Sequence, residues 1–130
     1  MRVLLTGVSS FTGCWFAAAL ADAGCEVIAT CRRPLDGYAG IAARRLDLAR
    51  KAGCALVGRI AFGGPRFVDL VATARVDVLC HHGAEIGDFR SAAFDPVACH
   101  DGATVGAEEV MAALARHGGR ALVLTGSVFE

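Results

Sequence analysis

The fold of this 130-residue chain is decided by the stretch VLLTGVSSFTG, residues 3–13. It begins as a short apolar run, typical of a buried strand, and continues from Gly7 as a turn of small residues that leads into a helical pattern. A chain that turns at once from a strand into a helix points several free backbone N–H groups at one place, where the helix dipole adds partial positive charge. We therefore predict that this turn binds an anion such as a diphosphate.

The rest of the chain alternates strand-like and helix-like segments, which indicates an α/β, doubly wound fold with a parallel sheet covered on both faces. In the first helix, Trp15, Phe16 and Leu20 are expected on the apolar side. The last helix is expected to present Val105, Val110, Met111 and Leu114 in the same way. The predicted strands are 2–6, 26–30, 54–62, 76–82 and 120–125, and the predicted helices are 11–23, 38–52, 65–74 and 103–117.

One segment has two interpretations. RRLDLA, residues 44–49, could be the third strand, which would place Asp47 near a ligand. The helical spacing of Ile41 and Leu46, closed by Gly53, favours a helix instead. Asp47 is then expected to be a solvated helix residue.

The composition argues against several classes of protein. Hydrophobic residues make up 55% of the chain, and 13 basic residues balance 13 acidic ones without a basic stripe, so neither disorder nor nucleic-acid binding is expected. No apolar run reaches the ~18 residues of a membrane span, and polar residues interrupt the N-terminal segment that imitates a secretory signal. The six irregularly spaced cysteines indicate reduced thiols in a cytoplasmic protein, without a metal site.

Residues 6–13, TGVSSFTG, resemble the pattern TGxxGFxG of the extended short-chain dehydrogenase/reductase superfamily, in its NAD(P)-dependent epimerase/dehydratase branch. Ser10 stands where the family has its central glycine, and its Cβ is expected to restrict the backbone and to weaken contact with the pyrophosphate. The resemblance implies a Rossmann-like sheet of about five strands in the order 3-2-1-4-5. It also implies that residues 1–130 form a dinucleotide-binding domain that ends before the substrate-binding part. The turn residues that it assigns to the coenzyme are Gly7, Ser9, Ser10, Phe11, Thr12 and Gly13.

The second strand extends this resemblance. GCEVIATCRR, residues 24–33, is similar to the family's GHEVVALDR, with Cys31 in place of the acidic residue that would hold the adenosine ribose of NAD. Arg32 and Arg33 follow directly, and guanidinium groups pair well with phosphate. NADP is therefore favoured as the coenzyme, with NAD as the alternative.

The fourth strand resembles the family as well. DVLCHHGAE, residues 77–85, is similar to DVVFHLAA, so His81, Gly83 and Ala84 would line the coenzyme beside the nicotinamide ribose. His82 takes a position that is apolar in the family, and we interpret it as structural.

The last segment, LVLTGSVFE, residues 122–130, resembles the family's SSxxVYG. Thr125 would occupy the place of the catalytic Ser/Thr, which polarises the substrate carbonyl or hydroxyl, with Ser127 as the fallback. The family's Tyr-x-x-x-Lys pair does not occur, because the only tyrosine is Tyr38 and the only lysine is Lys51. Hydride transfer in this family needs that pair, so residues 1–130 by themselves are expected to be inactive.

The function that this resemblance implies is the NADP(H)-binding portion of an NAD(P)-dependent epimerase/dehydratase or reductase. Its substrate would be sugar-nucleotide-like or a small carbonyl or hydroxyl compound. Two alternatives remain open at this stage: a non-catalytic dinucleotide-sensing regulatory module, and a flavodoxin-like phosphate-binding domain. Because a fifth strand without an outer neighbour exposes backbone groups and apolar side chains, a homo-oligomer is also expected.

Overall fold

The computed structural model describes residues 1–83 and 90–126, and in them five parallel strands form one sheet in the order β3-β2-β1-β4-β5. This confirms the predicted α/β class and the predicted strand order. The strands are β1 (Arg2–Thr6), β2 (Glu26–Thr30), β3 (Ala55–Val57), β4 (Val78–His81) and β5 (Ala121–Leu124). The helices are α1 (Phe11–Asp22), α2 (Gly40–Lys51), α3 (Pro65–Ala74), α4 (Pro96–Thr104) and α5 (Ala107–Arg116).

The strand register determines which residues meet at the edge of the sheet. Thr6, the last residue of β1, pairs with Thr30, the last residue of β2. On the other side of β1, Leu5 pairs with Cys80, so that Thr6 lies beside His81 at the end of β4. Since all five strands are parallel, their carboxyl ends open onto one crevice between β2 and β4.

Two apolar clusters hold the helices on opposite faces of the sheet. The cluster under α3 and α5 is built around Phe67 and Leu79, which are fully buried, and the cluster under α1 and α2 is built around Leu5 and Leu46. Each strand of the sheet centre contributes side chains to both faces, as a doubly covered parallel sheet requires. The sheet is therefore packed on both sides around β1.

The predicted apolar side of α1 is wrong. Trp15 and Phe16 are 55% and 44% exposed, whereas Cys14, Ala17 and Ala18 are buried. The helix turns its small side chains toward the sheet, which lets its backbone lie close to the strands and excludes the large aromatic rings from that interface.

The predicted third strand, 54–62, is too long. It ends at Val57, because Gly58 packs against the backbone of Leu35 and Arg59 adopts a left-handed conformation with φ of 61°. The chain leaves the sheet at that turn and enters the crevice.

The predicted helix 103–117 is in fact two helices. Gly106, with φ of 70°, separates α4 from α5, and both Val105 and Met111 are exposed rather than buried. Sequence analysis missed most of α4, although its signal is present. Asp95 caps its N-terminus by accepting hydrogen bonds from two backbone amides, and Pro96 occupies the first helical position.

The helical interpretation of residues 44–49 is confirmed, because they lie within α2, where exposed Asp47 forms an ion pair with Arg50. All six cysteines are free thiols. In the described part of the chain no helix is long and apolar enough to cross a membrane, and no three potential metal ligands come together.

Candidate functional site

A cleft of about 750 Å³ lies at the carboxyl edge of the sheet. Segments that follow all five strands line it, as expected for a crevice at the point where the strand order reverses. The lining comprises Thr6, Gly7, Ser9, Ser10 and Thr12 from β1 and its turn, residues 30–33 and Tyr38 after β2, residues 60–62 after β3, residues 81–83 at the end of β4, Gly102, Ala103 and Val105 around α4, and Thr125 and Gly126 after β5.

Ser10 is the N-cap of α1, which explains why serine can replace the family's glycine. Its φ of −75° and ψ of 166° are available to any residue, so its Cβ imposes no backbone strain. Its hydroxyl accepts a hydrogen bond from the amide of Gly13 at 3.0 Å. Among the described residues, the amides of Phe11 and Thr12 in the first helical turn have no partner, and they are among the donors available to a ligand.

Gly7 and Gly13 allow the turn after β1 to contact both the end of β4 and the first turn of α1. Gly7 has φ of 80°, and a Cβ on it would lie 2.8 Å from the Cα of Gly83 after β4. A Cβ on Gly13 would overlap the carbonyl oxygen of Gly7 and lie 2.7 Å from Oγ of Ser10. Glycine at these two positions therefore lets the turn pass close to the end of β4 and lets α1 begin directly against the turn.

Thr6 joins the turn to the end of β4. Its Oγ1 accepts hydrogen bonds from the amides of His82 and Gly83, at 3.0 and 2.8 Å, and lies 2.9 Å from Nδ1 of His81. Because both lone pairs of the hydroxyl are used, its proton is donated to Nδ1, and the neutral His81 ring carries its own proton on Nε2. The ring stacks on Phe62 with 3.8 Å between centroids.

Burial lowers the pKa of His81 below its usual 6.5; the nearby backbone of Ala103 opposes this shift, and the neighbouring His82 reinforces it. The imidazole is therefore neutral at pH 7. His81, which the sequence predicted at the site, thus lines the cleft as an uncharged ring that Thr6 and Phe62 hold in place.

At the other end of the cleft, the side chains are cationic. The Arg33 guanidinium lies 4.3 Å above the ring of Tyr38, which orients it at the end of β2. Burial raises the pKa of the Cys31 thiol, and a hydrogen bond with Tyr38 opposes that shift, so the position that is acidic in the family carries no charge here. No carboxylate is among the lining residues that the structure describes.

Thr125 lies at the rim of the cleft, where its amide donates a hydrogen bond to the carbonyl of His81 at 3.2 Å and its side chain is exposed. Two predicted site residues, Ala84 and Ser127, lie outside the described residues. Gly13 is buried below the turn and does not line the cleft, and the side chain of Phe11 is 64% exposed and lies outside it, so only the backbone amide of Phe11 is offered to a ligand. The predicted residues that do come together there are Gly7, Ser9, Ser10, Thr12, Arg32, Arg33, His81, Gly83 and Thr125.

Several residues of the cleft were missed by the sequence analysis. Thr6 and Thr30 end their strands at the crevice, and Tyr38 and Phe62 stack on predicted site residues. Thr6 and Thr30 could have been predicted as cleft residues, because ligands bind at the carboxyl ends of parallel strands. The stacking of Phe62 on His81 had no signal in the sequence, because it depends on how two distant segments pack. The contact between Arg33 and Tyr38 depends on the conformation of the loop after β2.

The chain was compared with known protein families, curated proteins and solved structures. The sequence model of the NAD dependent epimerase/dehydratase family matches residues 3–130. No curated protein matches the chain significantly.

Solved structures share the fold at low sequence identity. UDP-glucose-4-epimerase from Stenotrophomonas maltophila, with bound NAD and formylated UDP-arabinopyranose, is 22% identical with a TM-score of 0.72 over 99% of this chain and 38% of its own. The UDP-Glc/GlcNAc 4-epimerase of Campylobacter jejuni is 16% identical with a TM-score of 0.75 over 98% of this chain and 37% of its own. Yeast methylglyoxal/isovaleraldehyde reductase complexed with NADPH is 15% identical with a TM-score of 0.68, over 98% and 37%.

The chain thus spans less than two fifths of the length of these three structures, which are named as two epimerases and one reductase. The match of the family model over nearly the whole chain agrees with the glycine turn, the strand order and the crevice. The chain therefore belongs to the NAD-dependent epimerase/dehydratase family.

Proposed function

We propose that residues 1–130 bind NADP(H) as the coenzyme-binding portion of an epimerase/dehydratase or reductase. The observation that carries this proposal is the composition of the cleft. It combines the amide-rich turn at the start of α1 with Arg32 and Arg33, and no carboxylate lines it in the described part of the chain. Such a surface suits a ligand that carries a diphosphate and a further phosphate. One solved relative holds NAD and another holds NADPH, which supports a dinucleotide as the ligand of this cleft and keeps NAD as the alternative coenzyme.

Each part of the coenzyme has a place in the cleft under this proposal. The amides of Phe11 and Thr12 receive the diphosphate. Arg32 and Arg33 bind the 2′-phosphate of the adenosine ribose, and the uncharged Cys31 removes the repulsion that an acidic residue would cause. When bound, the coenzyme supplies the hydride chemistry.

The nicotinamide end lies toward β4 and β5. His81 and Gly83 line that side, and Ala84 continues it in the family's pattern. Thr125 binds the substrate oxygen, with Ser127 as the fallback, and the substrate is a sugar-nucleotide-like molecule or a small carbonyl or hydroxyl compound. Residues 1–130 alone do not turn it over, because their only tyrosine, Tyr38, lies at the adenosine end of the cleft.

A purely regulatory dinucleotide sensor is not favoured. The matching family is described as NAD-dependent epimerases and dehydratases, and the solved relatives are named as epimerases and reductases. A cytoplasmic location and a small-molecule substrate in the parent enzyme belong to the same proposal.

A titration with NADPH followed by calorimetry tests the proposal. The chain should saturate below millimolar coenzyme, and Arg33→Ala should weaken NADPH binding by about 10- to 100-fold, because charged hydrogen bonds to a phosphate are lost. NADH binding should change little in the same variant. Arg116→Ala, at the far end of α5, is the matched control and should leave both affinities unchanged. No saturation up to millimolar NADPH would contradict the proposal.

Self-association of these residues is also proposed. β5 lies at the edge of the sheet, and Val123 and Leu124 are 49% and 66% exposed on it. Covering this strand with a second copy would pair its free backbone groups and bury its apolar side chains. Light scattering across a concentration series should show dimers or larger species, and Leu124→Lys should shift them toward the monomer. A strictly monomeric chain at high concentration would contradict this.

A further inference from the structure

His82 stands where the family pattern DVVFHLAA has a leucine, and its ring lies beside the phosphate-binding turn. Its Nε2 lies 2.7 Å from Oγ1 of Thr12, and its ring meets that of Phe16 edge-on at 5.0 Å between centroids. The other ring nitrogen, Nδ1, is buried and has no hydrogen-bond partner among the described residues. A histidine that served only to fill an apolar position would not need this contact with the turn.

The hydrogen bond to His82 determines what the Thr12 hydroxyl can do. When Nε2 carries a proton, it donates to Oγ1, and the hydroxyl proton of Thr12 is then free to point elsewhere. When Nε2 is unprotonated, Thr12 must donate to it, and no donor remains for a ligand. Thr12 lines the cleft one residue after Phe11, so a released hydroxyl proton lies beside the two free amides of the turn.

The groups that the structure describes around His82 do not stabilise a positive charge on its ring in the free protein. The titratable group next to it is His81 on β4, which is itself neutral. From α1 it meets the Phe16 ring and an N-terminus whose first turn has no acidic residue. Arg45 on α2 adds a cation at the turn, where its Nη1 donates a hydrogen bond to the carbonyl of Ser9. Among the residues that the structure describes, an imidazolium here would face the positive end of the helix dipole without a carboxylate beside it.

We propose that His82 is a positioning residue for the coenzyme's diphosphate: it holds the Thr12 hydroxyl as a donor toward the cleft and takes up a proton from solvent when the diphosphate binds. The inference rests on the proposed function, because the anion that compensates the imidazolium is the bound coenzyme. Protonation of His82 and binding of the diphosphate stabilise each other, since charge-assisted hydrogen bonds run from the imidazolium through Thr12 to the phosphate.

The sign of the pH dependence follows from this arrangement. Burial lowers the pKa of His82 below 6.5 in the free protein, and a bound diphosphate raises it. Coenzyme affinity should therefore increase as the pH falls through the pKa of the bound state, and level off below the pKa of the free state. A rise of about half to one unit on binding corresponds to about a three- to tenfold gain in affinity.

The experiment measures NADP⁺ affinity by calorimetry between pH 8 and pH 5.5 in buffers of different ionisation enthalpy, which reports proton uptake directly. NADP⁺ is stable in mild acid, and the titration of its own 2′-phosphate is common to every variant, so it cancels in ratios. The wild-type chain should gain about three- to tenfold more affinity than His82→Leu over this range and take up a larger fraction of a proton. His117→Leu, at the end of α5, is the matched control and should behave as the wild type.

Two further variants separate positioning from folding. His82→Gln keeps a side-chain donor for Thr12, so it should bind NADP⁺ more tightly than His82→Leu at pH 8 but lose the additional proton uptake of the wild type. Thr12→Val leaves His82 in place but removes the hydroxyl between its ring and the phosphate. This variant should therefore bind NADP⁺ more weakly and lose the additional pH dependence of the affinity. In the wild type, the His82 imidazole signals in NMR spectra should titrate at higher pH when NADP⁺ is bound.

The failure of this inference differs from the failure of the proposed function. If His82→Leu keeps the wild-type pH profile, or if the His82 signals titrate identically with and without NADP⁺, the inference is overturned while coenzyme binding stands. If the wild-type chain binds NADP⁺ at no pH, the proposed function itself is overturned.

Discussion

Gly7→Ala is expected to abolish coenzyme binding and to lower the free energy of unfolding by about 2–5 kcal/mol. Two costs add at this position. The backbone has φ of 80°, where an L side chain is strained, and the new Cβ would lie 2.8 Å from Cα and 2.9 Å from N of Gly83. The turn must then move away from the end of β4, and its amides no longer face the cleft. Urea unfolding and an NADPH titration measure the two effects.

Gly24→Ala is the matched control for this prediction. Gly24 has nearly the same φ, 82°, but a Cβ there would meet nothing within 4 Å, so only the conformational cost of about 1–2 kcal/mol is expected. It lies after α1, far along the helix from the turn, and coenzyme affinity should not change. Equal losses of stability in the two variants would show that the contact with Gly83 is unimportant, which would contradict the geometry described here.

Cys31→Asp is expected to reverse the coenzyme preference. A carboxylate at the end of β2 accepts a hydrogen bond from the ribose 2′-hydroxyl of NADH and repels the 2′-phosphate of NADPH. The ratio of the two Kd values should shift toward NADH by about 100-fold, since a favourable charged hydrogen bond is gained with one ligand and a like-charge contact arises with the other. Parallel calorimetric titrations with NADPH and NADH measure the ratio.

Cys31→Asn isolates the charge in this experiment. Asparagine has nearly the size of aspartate and can also bond to Tyr38, but it carries no charge, so the ratio should move by less than about tenfold. Comparable shifts for Asp and Asn would mean that shape rather than charge selects the coenzyme. The 2′-phosphate would then not lie beside the end of β2, and the roles proposed for Arg32 and Arg33 would be wrong.

Much of the fold could be predicted because its signals are local. The bounds of β1, β2 and α3 agree with the sequence prediction, since an apolar run that ends at a glycine, or a proline at a first helical position, acts within a few residues. The glycine turn was predicted for the same reason, and Gly7 has the positive φ that only glycine adopts easily. The strand order followed from the family resemblance.

The errors arise where packing overrides local pattern. The apolar periodicity of α1 contains both aromatic and small residues, and only contact with the sheet shows that Ala17 rather than Trp15 is buried. The division between α4 and α5 also depends on a tertiary contact. Gly106 adopts its left-handed conformation where its backbone touches that of Gly63, in a loop more than 40 residues earlier in the sequence.

The sequence by itself determined the class of fold, the family and the position of the glycine turn, because each depends on short patterns of side-chain size and hydrophobicity. Only the tertiary structure decided which side chains face one another across the cleft. The pairs Thr6–His81 and Thr12–His82 join residues 75 and 70 positions apart. Their contact depends on strand register and on the closeness of two backbones at Gly7 and Gly83, which no local pattern encodes.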